Sequence, residues 1–330
     1  MRPEAVSGRE ADGAPVRSRR RAARRGPVVD EEPAPGAHDR FLHLDRERAQ
    51  REWRRYEGTP QRELFRELRE RFLRRHAQPG RWAIDVGSGP GRFLPWLGGP
   101  ATGRVALDLS WEMLAVGREL SQEAPRSPGG WVSRVRGNAV RPPLRERAFA
   151  EVALVGNTLG FEAESGEILL QAVEALVAPG GVLVLEIAPG PGERSRYLGR
   201  LPASAVRRLL AAPPAAVLPR LLREGFLREP ERHRPRSFRR WSPAELRERW
   251  HVRGWSVGEV MAVAPALGPD QARLREVARD RRAWERLLEL EEQLGRAPSR
   301  WPAAAAVLVA ASAPAVKPND FERGETSIPG

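Results

Sequence analysis

Apolar residues recur along this chain with two different periods. Within residues 43–76, Leu64, Phe65, Leu68, Phe72 and Leu73 make an i, i+4, i+8 stripe, which predicts helices on either side of Gly58-Thr59-Pro60. Downstream, short runs rich in Val, Ile, Leu and Ala predict strands at 82–86, 104–108, 131–136, 150–155 and 182–187. Helical patterns separate several of these runs. Ser110 is placed to cap a helix with Glu112 in its first turn, where the positive end of the helix dipole favours an acid. Another helix, over 167–177, stops at Ala178-Pro179-Gly180-Gly181. Regular alternation then breaks off. Residues 191–241 hold helical pieces at 203–212 and 218–224, divided by Pro213-Pro214 and Pro230; this is too long for an ordinary connection and reads as a basic helical lid after the fifth strand. Ser242-Pro243 then opens a helix to about residue 252, and strands at 256–263 and 304–311 flank a helix over 270–294. No internal repeat is found.

Strands alternating with helices predict an α/β domain with a mainly parallel sheet covered on both faces. The domain is expected over residues 38–313, between an Arg-rich, disordered tail at 1–37 and a flexible tail at 314–330. Of the 330 residues, 41% are hydrophobic, enough for one sizeable core with a small appendage. No stretch nears the roughly 20 uninterrupted apolar residues of a membrane span, and no signal-peptide core is seen, so a cytoplasmic protein without membrane contact is expected. The absence of cysteine excludes disulfides, a thiolate nucleophile and Cys-based zinc sites. Five scattered histidines have no metal-ligand spacing, so no metal is expected. The net charge of +13 comes from 56 basic residues, of which Lys317 alone is lysine. A general bias toward Arg, Ala, Gly and Pro accounts for part of it. Residues 191–260 nevertheless concentrate 16 Arg against 7 Glu, a wall suited to anions.

The run Ala83-Ile84-Asp85-Val86-Gly87-Ser88-Gly89-Pro90-Gly91-Arg92 is the most informative stretch: an apolar strand ending in an acid, then a turn on three glycines that bares backbone N–H groups. A dinucleotide fingerprint would need glycine where Arg92 stands, which disfavours NAD. Asp85-Val86-Gly87-Ser88-Gly89-Pro90-Gly91 instead resembles the D-x-G-x-G-x-G motif of class I S-adenosylmethionine-dependent methyltransferases. Further landmarks follow in order: Val105-Ala106-Leu107-Asp108, Arg136-Gly137-Asn138-Ala139, Val152-Ala153-Leu154-Val155-Gly156-Asn157, and Pro179-Gly180-Gly181 before the fifth strand. The resemblance spans residues 50–313. It implies a Rossmann-like, doubly wound, seven-stranded sheet and S-adenosyl-L-methionine as cofactor. By position it implies a cofactor site of Asp85, Gly87, Ser88, Gly89, Gly91, Asp108, Leu109, Asn138, Ala139 and Asn157. Asp108 falls at the ribose carboxylate, Asn138 beside the adenine in place of the usual acid, and Asn157 under the methionine part. Trp53-Arg54-Arg55-Tyr56-Glu57-Gly58-Thr59 resembles the segment that covers the cofactor, with Tyr56 either shielding the sulfonium or packing on the first helix. Trp111 either leans on the adenine or only opens a helix.

Methyl transfer needs in-line alignment and exclusion of water, and a base only where the accepting atom loses a proton. Glu186, His233 and His251 are the candidate bases, each with an ordinary structural alternative, so the catalytic residues stay open. Without cysteine, the usual C5 methylation of pyrimidines is excluded. Asn157-Thr158-Leu159-Gly160 lacks the Asn/Asp-Pro-Pro-aromatic tetrapeptide of exocyclic-amine methylation, and a lysine-dependent ribose 2′-O site cannot be built from Lys317 alone. A small-molecule acceptor, methylated on O, N or C, is therefore the first expectation. RNA, bound by the basic segment and the arm around 17–25, is the alternative, and a non-catalytic S-adenosylmethionine-binding protein is the third.

Overall fold

Each predicted strand of the first half becomes one strand of a single sheet. The computed structural model describes residues 44–78, 82–100, 102–123, 131–156, 158–161, 166–188, 226–230, 235–239, 241–263, 271–304 and 306–315. Asp45 caps helix α1 (Arg46–Trp53) by accepting the Arg48 N–H at 2.7 Å, and α1 runs into a 3-10 turn over Arg54–Tyr56. Thr59 caps α2 (Pro60–His76), with Pro60 at the first position, where the ring's fixed φ suits a helix and no N–H is missed. Then come β1 (Ala83–Val86), β2 (Arg104–Asp108), α3 (Trp111–Glu123), β3 (Val132–Arg136), β4 (Phe149–Leu154), α4 (Thr158–Phe161), α5 (Gly166–Leu176) and β5 (Val177–Ile187). The later elements are β6 (Phe226–Pro230), β7 (Pro235–Arg239), α6 (Pro243–His251), β8 (Ser256–Val263), α7 (Gln271–Ala278), α8 (Arg281–Gly295) and β9 (Ala306–Ser312).

The sheet runs β3-β2-β1-β4-β5-β9-β8, parallel throughout except for β9, which is antiparallel to both neighbours. This is the doubly wound arrangement expected. Strand residues alternate between two apolar clusters, as the two-residue period of a strand demands. Leu183, Leu185, Val307 and Val309 join the layer holding Leu169 and Val173 of α5 and Trp250 of α6. Val182, Val184, Leu308 and Ala310 join the opposite layer, with Leu64, Leu68 and Phe72 of α2, Leu114 of α3 and Leu288 of α8. Chain order reverses between β1 and β4, so a crevice opens beyond their carboxyl ends, where ligands of open α/β sheets bind.

Three expectations change. In the stretch expected to be helical, residues 226–230 and 235–239 form an antiparallel pair, β6 with β7, while 203–212 and 218–224 lie outside the described residues. The helix expected over 270–294 divides at Asp280, whose carboxylate accepts the N–H groups of Arg282 and Ala283 and starts α8 afresh. Ala178-Pro179-Gly180-Gly181 ends α5 but belongs to β5, whose ladder with β4 shifts register between Phe149 and Glu151. The tail 1–37 lies outside the described residues, as does all of 314–330 beyond residue 315. No helix among the described residues is long and apolar enough to cross a membrane.

A buried carboxyl gives the fold a pH dependence. Glu151 of β4 is fully buried, and burial pushes its pKa up to about 7, against the N–H groups of Gly98 at 2.7 Å and Gln78 at 3.3 Å and the charge of Arg104. The unfolded carboxyl titrates near 4.5. Its contribution to stability is thus complete below that pH and is lost as pH rises through about 7, a difference of about 3 kcal/mol. Glu151→Gln keeps an acceptor for both N–H groups without the charge. Urea unfolding is expected to show the variant gaining on the wild type from about pH 4.5 to about pH 8 by up to that amount. Parallel stability curves would refute it.

Candidate active site

Beyond β1 the backbone turns through Gly87, Gly89 and Gly91, at φ of 65°, 54° and 78°. Their surroundings differ. A Cβ on Gly87 would meet Thr158 Cγ2 at 2.5 Å, and one on Gly91 would meet Leu94 Cδ1 at 2.5 Å, so protein atoms crowd both. At Gly89 the nearest such atom is Met113 Sδ at 4.0 Å, because this residue faces a cleft of about 690 Å³. Gly117 of α3 meets the turn from behind, where a Cβ would lie 2.0 Å from the Pro90 carbonyl oxygen.

Two carboxyls stand at the cleft floor. Asp108, at the end of β2, accepts the Gly89 N–H on Oδ2 at 2.7 Å and the Ser110 N–H on Oδ1 at 2.8 Å. Burial raises its pKa, while these N–H groups pull it back. With the Leu109 N–H also directed at it, the carboxylate keeps room for a further donor. Asp85 is buried, and its Oδ1 has no hydrogen-bond partner among the described residues. Burial, helped by the nearby charges of Asp108 and Glu151, holds its pKa well above the usual carboxylate range. An orphaned buried acceptor costs about 1–3 kcal/mol, so a donor or cation entering the cleft has a partner ready.

Arg92, where a dinucleotide fingerprint would place glycine, fastens the N-terminal segment over the turn. It donates to the Trp53 carbonyl, pairs with Glu57 at 3.0 Å and lies over the Trp53 ring at 5.5 Å. Tyr56 is buried edge-on against Phe93, their ring centres 5.5 Å apart, and both line the cleft. Arg69 of α2 sits over the Tyr56 ring and grips Glu186, near the end of β5, through two hydrogen bonds of 2.8 and 2.7 Å. Glu186 Oε2 also accepts the Gly156 N–H at 3.0 Å, fixing the loop after β4. Burial alone would raise the Glu186 carboxyl, but the Arg69 charge and these donors hold it below its ordinary value.

Of the residues expected at the site, Asp85, Gly87, Ser88, Gly89, Asp108, Leu109, Asn138 and Ala139 line this one cleft. Gly91 does not line it; its role is the turn packed on Leu94. Asn157 and His233 lie outside the described residues. Asn138 Oδ1 accepts the Val140 N–H at 3.0 Å, so only its second lone pair remains for a ligand. Glu186 is not a candidate base: it is buried, ion-paired and away from the cleft lining. His251 is exposed at the end of α6, and Trp111 is 56% exposed; neither lines the cleft. Arg55, within the segment expected to cover the cofactor, lines it, and so do Arg48, Arg51 and Glu52, for which the sequence reading assigns no role. The i, i+3, i+7 spacing of the three arginines was the available signal, hidden by the charged pairs along α1. Among the described residues no group of His, Cys, Asp or Glu is placed to hold a metal.

Comparison with known proteins adds the following. The family described as "Methyltransferase domain" matches residues 84–185. Similar solved structures include a chain from the complex between the Haloferax volcanii Trm112 methyltransferase activator and a methyltransferase, at 17% identity, covering 82% of this chain and 98% of that one, with a TM-score of 0.48. A SAM-dependent methyltransferase from Methanosarcina mazei is 13% identical, with 74% and 98% covered and a TM-score of 0.46. Geranyl diphosphate C-methyltransferase from Streptomyces coelicolor is 16% identical, with 74% and 76% covered and a TM-score of 0.43. No curated protein matches the chain.

Proposed function

We propose, from the premise that the chain belongs to the class I S-adenosylmethionine-dependent methyltransferases and takes S-adenosyl-L-methionine as methyl donor, that it methylates a small-molecule acceptor in the cleft beyond β1 and β4. The observation that carries the site assignment is the combination at the floor: Asp85 Oδ1 without a partner, Gly89 open to the cleft, and Asp108 held at its edge by backbone N–H groups. These suit a ligand bearing an ammonium group and a ribose diol. In this reading Asp108 accepts from the ribose hydroxyls and Asp85 from the ammonium side. Leu109, Ala139 and Asn138 flank the adenine, and the backbone of Gly87, Ser88 and Gly89 lies along the ligand. Asn157 is retained at the methionine end. When bound, S-adenosylmethionine supplies a methyl group on a positively charged sulfur.

The protein's part is positioning. Tyr56 and Phe93 shield the cleft from water, and the Arg69–Glu186 pair holds Gly156 in place. Asp108→Ala is expected to weaken S-adenosylmethionine binding by about 1.5–3 kcal/mol, the loss of charge-assisted bonds to a sugar. Calorimetry on the folded variant checks this, and unchanged affinity would remove Asp108 from the site.

The domain reading is proposed as it stands in the sequence: a methyltransferase domain over 38–313, a basic insertion at 191–241 near the acceptor, and tails at 1–37 and 314–330. Transfer of tritiated methyl from S-adenosylmethionine into fractionated cell extract tests the acceptor class. Label in the low-molecular-weight fraction, indifferent to ribonuclease, is the expected result. Label that enters RNA and disappears with ribonuclease would replace the small molecule by RNA.

A further inference from the structure

The face of α1 turned to the cleft carries more positive charge than the cofactor uses. Arg48, Arg51 and Arg55 are spaced i, i+3, i+7, which places them on one side of a helical segment, and all three line the cleft. Each side chain is about half exposed, at 51%, 54% and 50%. Glu52 lies in the cleft with them, its Oε1 3.0 Å from Arg48 Nη2 and its Oε2 3.6 Å from Arg55 Nη1. Two guanidinium groups thus already flank one carboxylate, each through a single contact, so an anion at this point lies between two positive charges. Arg51 is paired with Glu47, which is 77% exposed and does not line the cleft; such exposed pairs are weak and exchange readily for a ligand anion. Asp45 also lines the cleft, but its carboxylate caps α1. The cleft is therefore polarised, with Asp85 and Asp108 at the glycine turn and the arginines along α1 and the 3-10 turn that follows it.

We propose that Arg48, Arg51 and Arg55 form an anion subsite, and that the methyl acceptor carries a carboxylate or phosphate group. S-adenosylmethionine has a single carboxylate, which the forked guanidinium of Arg51, the one not drawn to Glu52, satisfies, so Arg48 and Arg55 remain for the acceptor. Glu52 occupies the subsite as an internal competitor that an acceptor anion displaces. The proposal rests on the methyltransferase reading of the cleft and adds the chemical class of the substrate.

The test uses the full chain saturated with S-adenosylhomocysteine, so that the cofactor's own carboxylate is already placed. Succinate and inorganic phosphate are titrated separately by calorimetry into the wild type, the double variant Arg48→Gln/Arg55→Gln, and Glu52→Gln. Circular dichroism confirms that each variant is folded. At least one probe is expected to bind the wild type, about tenfold or more weaker to the double variant and several-fold tighter to Glu52→Gln. S-adenosylhomocysteine affinity is expected to stay within about threefold. The tighter probe distinguishes a carboxylate from a phosphate acceptor. Equal probe binding by wild type and double variant, or no binding to either, overturns the proposal. Loss of S-adenosylhomocysteine affinity in the double variant also overturns it, assigning these arginines to the cofactor. Failure of the wild type to bind S-adenosylhomocysteine at all would instead refute the underlying methyltransferase reading.

Discussion

Gly89→Val is expected to abolish S-adenosylmethionine binding, by about 100-fold or more, while leaving the fold largely intact. Two effects act together. Valine at a φ of 54° is held in a region that β-branched residues avoid, at a cost of about 1–3 kcal/mol. Its side chain would project into the cleft, since among the described residues, its chain neighbours aside, no atom nearer than Met113 Sδ at 4.0 Å stands in the way of a Cβ. The open surroundings that let the variant fold are thus the space the ligand needs. Gly89→Ala separates the two effects, because it adds the backbone strain with little volume and should bind at an intermediate level. Near-native circular dichroism with undiminished binding would reduce Gly89 to a turn residue.

Glu186→Ala is expected to cost about 3–5 kcal/mol of stability, the largest loss foreseen for a single polar replacement. Arg69 would be left with its charge buried and uncompensated, since both guanidinium bonds to Glu186 are lost and only the Phe65 carbonyl, at 2.8 Å, still accepts from it. The Gly156 N–H would lose its acceptor as well, so the surviving folded protein should bind cofactor less well. Replacing both partners, as Arg69→Met with Glu186→Leu, should recover much of the stability without restoring the loop. Because the Glu186 carboxyl titrates below its ordinary value when folded, its contribution is present above the unfolded pKa of about 4.5 and is lost as pH falls through the lower, folded value. Urea unfolding measures the stabilities, and calorimetry with S-adenosylmethionine the affinity. A loss under about 1 kcal/mol for Glu186→Ala would contradict the buried-pair account.

How much of this could be read from the sequence depends on how local each determinant is. The sheet strands were legible because their apolar runs are bounded by Gly, Pro or an acid, and β1, β2 and the glycine turn declare their ends within a few residues. Thr59-Pro60 and Ser242-Pro243 announced their helices for the same reason. Asp280 did not, because one acid among arginines looks like ordinary surface until its carboxylate is seen capping α8. β6 and β7 are short and Pro-bearing, so their pairing lies in a register that single-strand patterns do not carry. At the site, Asp85, Gly89 and Asp108 were readable as one motif followed by one strand end. Glu186 was not: its partner, Arg69, is 117 residues away, and only that contact turns a candidate base into a support for the β4 loop. Arg48 and Arg51 of α1 were obscured because the helix buries only Ala49 and reads as a solvated element.

Whether the cleft beyond β1 and β4 binds S-adenosylmethionine is decided by titration calorimetry of the wild-type chain with S-adenosylmethionine and, separately, with NAD. A dissociation constant in the micromolar range for S-adenosylmethionine, about −8 kcal/mol, and no measurable heat with NAD are expected. NAD binding without S-adenosylmethionine binding would contradict that expectation.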